Sequence, residues 1–226
     1  MTESRIAAAP IAILALVAVA LVLSACGTAV SGGPSGGGDG ARYRMAAGGS
    51  AQALPPPRPL RFTGASAPSD QQVVRQVIAE ARPEARRLVE AVAGLVSVSI
   101  GVPEGGAAGL TTSTASGYDV VLDLGGVYRN LGMRGVRRLV LHEMAHVVDH
   151  ALVPNTLRAE LDAATPAGFG CDEGKSGGCT AREERFSESF AKWATGDIGN
   201  DLYIGYRVPP PKSLADWGAP LAVLVR

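Results

Sequence analysis

A chain of 226 residues, 46% of them hydrophobic, has material for one ordinary core and not for two large domains. Its 21 basic and 21 acidic residues cancel, so no net field favours nucleic acid or an anionic lipid surface, and a nucleic-acid role is set aside. The 29 glycines and 15 prolines are many for a compact domain, but a large share of them falls in one block near the N-terminus.

Residues 1–25 have the order of an export signal: Arg5 in a short polar start, then the apolar run "IAILALVAVALVL". "LSAC" follows, and Leu23, Ser24, Ala25 and Cys26 resemble the bacterial lipobox, whose cysteine is acylated and becomes the mature N-terminus. An uncleaved membrane anchor is the alternative, because the apolar run is nearly long enough to span a bilayer. Either way the remainder lies outside the cytoplasm, and the lipobox reading holds it on the extracytoplasmic face of a bacterial cell membrane through lipid at Cys26. Residues 26–66 are rich in Gly, Ser and Pro with little apolar surface to bury, which predicts a disordered tether. A single folded domain is expected over 67–226.

Order is expected from "SDQQVVRQVIAE". Ser69 and Gln72 have capping-box spacing, and Val73, Val74, Val77 and Ile78 form a helical stripe. Pro83 has no N–H to donate and should divide this segment from a second helix running to about Ala93. Val96, Val98, Ile100 and Val102 alternate with Ser97, Ser99 and Gly101, the period of a strand with one buried face. Tyr118 to Leu124 alternates as well and is expected to form a half-exposed edge strand.

"VLHEMAHVVDH", Val140 to His150, holds all three histidines of the chain. On a helical wheel His142, His146 and Leu139 share one side, with Glu143 and His150 beside them. Val136, Val140, Met144, Val147 and Val148 make the opposite, apolar side. Two imidazoles at i and i+4 can point at one spot, and zinc accepts such nitrogens at about 2.0 Å. Glu143 borders that face, within reach of a water whose pKa zinc lowers toward about 7. A rise of 1.5 Å per residue puts His150 about 12 Å along the axis from His142, too far to share an ion, so a third ligand must come from elsewhere.

The exported chain has two further cysteines, Cys171 and Cys179. Their C-x7-C spacing lacks the C-x2-C pair of structural zinc sites, so a disulfide is favoured over zinc. Thr180 and Glu183 have capping-box spacing and open a helix at about Ala181, on which Phe186, Phe190 and Trp193 form an apolar stripe. Glu184 and Glu188 lie one turn apart on the opposite side, where their repulsion calls for a positive neighbour: a metal ion, a histidine, or solvent with Lys192 in a solvated stripe.

HExxH followed about forty residues later by E-x-x-x-E on a second helix resembles the gluzincin zinc metallopeptidases. "HEMAHVVD" and "ERFSESF" resemble their lethal-factor-like branch, over about Tyr118 to Thr195. The resemblance implies a compact α+β, zincin-like domain with a small, mostly antiparallel sheet. It further implies zinc on His142, His146 and Glu184, Glu143 as general base, and Glu188 orienting a ligand histidine. Asp149 matches the branch's aspartate. The branch also places a tyrosine shortly before the third ligand to stabilise the oxyanion. The corresponding loop here has none, and Tyr203 and Tyr206 are the nearest candidates downstream. An edge strand, for which "YDVVLDL" is the candidate, would pair with an extended peptide substrate. The expectation is a monomeric, membrane-tethered zinc metallopeptidase acting on peptides or proteins. The alternative is a catalytically silent surface lipoprotein that uses the same fold to bind a partner or the cell wall.

Overall fold

The computed structural model describes residues 58–170, 181–203 and 207–225. The expected signal segment, Cys26, Cys171, Cys179, Thr180 and Tyr206 lie outside the described residues. Arg61–Phe62 (β1) falls inside the expected tether but pairs in parallel with Ser97 and Val98, so the last residues before 67 join the sheet.

Two helices follow, α1 (Pro68–Glu80) and α2 (Pro83–Val92). Pro83 is the first residue of α2, and it drives Arg82 into an extended conformation (φ −53°, ψ 146°), which separates the two as expected. The expected cap on α1 is corrected. Pro68 already supplies helical φ, so the helix starts one residue before Ser69, with Ala67 as an N-cap that has no side-chain bond.

β2 (Val96–Ile100), β3 (Gly109–Thr114) and β4 (Gly117–Leu122) complete a four-stranded sheet in the order β1-β2-β4-β3. The fold is α+β, but the expectation of a mostly antiparallel sheet is overturned. β1 with β2 and β2 with β4 are parallel, and only β3 with β4 is antiparallel. The connections dictate this: α1 and α2 carry the chain back before β2 begins, and β3 intervenes between β2 and β4. Only the β3–β4 hairpin turns directly. The edge assignment changes with it. "YDVVLDL" is an inner strand that ends at Leu122, and β3 forms the edge beside it, with β1 at the opposite edge.

Asp123 follows β4 and accepts a hydrogen bond from Gly126 N at 2.8 Å, capping α3 (Leu124–Leu152). This long helix is broken at Gly132, whose φ of 62° and ψ of −166° suit a residue without Cβ. α4 (Asn155–Ala164), α5 (Arg182–Thr195) and the short α6 (Leu214–Gly218) follow. α3 packs along α5 on one side and against α1, α2 and the sheet on others. The core joins Val74, Leu88, Val98, Val120, Val140, Met144, Phe186, Phe190 and Trp193. α3 therefore lacks the wet face expected of it: Leu139, His142 and His146 are at most 3% exposed. Among the described residues no helix is long and apolar enough to cross a membrane.

Candidate metal centre

α3 and α5 meet through pairs whose numbers run in opposite senses: Arg138 with Glu188, His142 with Glu184, Asp149 with Arg182. The helices are thus antiparallel, and the apolar stripe of Phe186, Phe190 and Trp193 turns the other side of α5 toward α3. That leaves Glu184 and Glu188, 4% and 3% exposed, against the histidines. The alternative of a solvated stripe falls with them, since Lys192 is only 1% exposed. α5 is capped by Ala181 without a side-chain bond, and the box expected between Thr180 and Glu183 involves a residue outside those described.

Glu184 Oε2 lies 3.1 Å from His142 Nε2 and 3.6 Å from His146 Nε2, and one donor atom from each of the three residues falls within 4.8 Å of the others. Tetrahedral zinc with bonds of about 2.0 Å spaces its donors about 3.3 Å apart, so the donor set fits that ion and leaves a fourth position. His150 takes no part; its ring lies 6.5 Å from that of Tyr118.

Behind the donors, Glu188 Oε2 is 3.5 Å from His142 Nδ1. A proton on that nitrogen leaves Nε2 as the atom that meets Glu184, donating to it while the ring is charged and free to bind a metal once that second proton is lost. Arg138 donates to Glu188 Oε1 at 2.5 Å and to the Asp197 carbonyl at 2.8 Å, and Lys192 Nζ is 3.5 Å from the same Oε1. The positive partner required by the two glutamates is therefore supplied by Arg138, His142 and Lys192 together. Burial pulls His142 toward the neutral form, but hydrogen bonds to Glu184 and Glu188 outweigh it and raise its pKa to about 10. Burial pushes Glu184 up, and His146 and His142 overcome that to hold it well below the usual carboxylate range.

Glu143 is 2% exposed, and burial raises its pKa against the pull of both histidines. Its carboxylate reaches the edge strand: Thr111 Oγ1 donates to Oε2 at 2.7 Å. A Cβ on Gly109 would stand 2.4 Å from Oε1, so that position requires glycine for the carboxylate to lie where it does. Asp149, fully buried, accepts from Arg182 at 3.0 and 2.6 Å, and Arg158 stands 3.3 Å away. Tyr203 is 39% exposed with the Arg207 guanidinium 5.0 Å from its ring centre.

Thr111, Gly109, Arg138 and Arg182 were not singled out from the sequence. Only Arg138 carried a signal there, since it stands one turn before His142 in the stripe that includes His146. Compared with family models, with curated proteins and with solved structures, the chain matches none. The chemical reading rests on the arrangement itself: two imidazoles and a carboxylate around one point, with a second, separately held carboxylate beside them.

Proposed function

We propose that the chain is a zinc-dependent peptidase of the gluzincin kind with a zincin-like domain, exported and held at the outer face of a bacterial membrane by lipid on Cys26. The convergence of His142, His146 and Glu184 carries this reading, with Glu143 adjacent and bound elsewhere. Zinc held by these residues supplies a Lewis acid and a water acidic enough to attack at neutral pH.

The chain's own groups do the rest. Glu188, 3.5 Å from His142 Nδ1, would favour a proton on that nitrogen, which leaves Nε2 as the ligand. Glu143 takes the proton of the attacking water and passes it to the leaving amine. Thr111 occupies Oε2, so that exchange falls to Oε1, which lies beside Gly109 on the edge strand. An extended peptide adding to the outer edge of β3 would run past this carboxylate.

A second reading is supported by burial, since none of His142, Glu143, His146 and Glu184 is more than 4% exposed. Zinc would then be structural, and the domain would bind a partner without cleaving it. Metal analysis of the purified chain separates an empty site from a filled one, with Glu184→Ala losing the metal. Cleavage of a peptide library then separates catalyst from binder. Glu143→Gln should keep zinc and lose hydrolysis, and full activity in that variant rejects the base.

A further inference from the structure

Asp149 has no place in the proposed chemistry, yet it is fully buried and bonded through both oxygens to Arg182. Arg182 is in turn out of place for its helix. It stands at the first position of α5, where the macrodipole disfavours positive charge. The same turn carries Glu184, and its N-cap, Ala181, provides no side-chain acceptor for the open N–H groups. Glu183 and Glu184 complement the dipole in that turn, so Arg182 is the side chain there whose charge needs a partner off the helix.

We infer that the Asp149–Arg182 pair is a positioning clamp that fixes Glu184 in reach of the two histidines, so that zinc affinity depends on it. This rests on the zinc reading above. The clamp joins the helix of the two histidines, three residues past His146, to the helix of the third donor, two residues before Glu184. Arg158 braces Asp149 from α4, donating to its carbonyl at 3.2 Å and standing 3.3 Å from its carboxylate. At the other end of the centre Arg138 and Glu188 form a second link with the charges exchanged: α3 supplies the base there and the acid here. The donors lie between the two links, and a slide of α5 by one turn would break both.

The test is a zinc titration of the full-length chain against a chromophoric chelator, with the melting temperature of each variant recorded in excess chelator. Arg182→Gln alters a side chain that is 28% exposed and leaves the core intact. It should weaken zinc about 10- to 100-fold, the usual cost of losing a group that orients a ligand, and Arg182→Lys should recover part of the loss. Arg185→Gln is the control, since Arg185 pairs with Asp162 of α4 and not with α3. It should lower the melting temperature while leaving zinc affinity within about twofold. Wild-type protein that binds zinc, with Arg182→Gln unchanged in affinity or no weaker than Arg185→Gln, overturns the clamp alone. Wild-type protein that takes no zinc overturns the zinc reading and the clamp with it.

Discussion

The Thr111 hydroxyl donates to Glu143 Oε2 at 2.7 Å and lies 3.2 Å from the Glu143 carbonyl, so the edge strand, and not α3 itself, aims the carboxylate that follows the first histidine. A single hydroxyl proton serves two acceptors there, and its loss leaves a buried carboxylate short of a donor. Thr111→Val should cost about 1–3 kcal/mol in urea denaturation. It should also slow peptide cleavage about 10-fold or more with zinc content unchanged, whereas Thr111→Ser should restore the rate. Valine with wild-type cleavage would remove Thr111 from the site.

Gly109 makes the same point through space. An alanine methyl would stand 2.4 Å from Glu143 Oε1, and the carboxylate can yield only by leaving Thr111. Gly109→Ala should retain zinc, lose about 1–3 kcal/mol of stability and depress cleavage along with it. Equal cleavage by the two proteins would show that Oε1 is not confined.

Arg138 is 1% exposed and faces Glu188 in the interior. Removing one partner of such a pair strands the other charge, so Arg138→Met should destabilise by about 3–5 kcal/mol. Replacing both, with Glu188→Leu, should cost less than the single change. Chemical denaturation of the two variants decides it, and a double variant weaker than the single would refute the pairing.

Stability of the chelator-treated protein should depend on pH in a defined sense. His142 is raised from 6.5 to about 10, so its contribution is complete below 6.5 and fades as pH climbs through about 10. Glu143, raised by burial, pushes in the same direction above 4.5. Glu184 and Glu188 are lowered, so their contribution is present above 4.5 and fades in acid. Melting temperatures measured with a chelator should therefore fall from pH 6.5 toward 10. Saturating zinc, which binds neutral imidazole, should flatten that fall. A chelator-treated protein with a level profile across this range would contradict the pairing of His142 with its two glutamates.

The elements that could be read in advance are those whose burial follows a period. α2, β2 and the apolar stripe of α5 carry their core side chains at helical or alternating spacing, and all three form where that spacing puts them. β3 has no such pattern. Its buried positions are Gly109 and Thr111, one without a side chain and the other polar, so nothing in the letters marks it as a strand. Missing β3 also misplaced the edge, because β4 looks half exposed until another strand covers it. The cap on α1 failed for a local reason: Pro68 starts the helix before Ser69 can cap it.

By itself the sequence determined what could be written as spacing: two imidazoles one turn apart, Glu143 between them, and Glu184 and Glu188 one turn apart on a face opposite the aromatic stripe. A helical period fixes which side chains share a face, and local geometry suffices for that. Only the tertiary structure decided that the two faces meet. The antiparallel packing of α3 on α5 brought residues about forty positions apart to 3.1 Å, buried Lys192, and recruited Arg138, Arg182 and Thr111 to hold the carboxylates. Which charge faces which across two helices depends on register and crossing, and neither is encoded in the period of either helix alone.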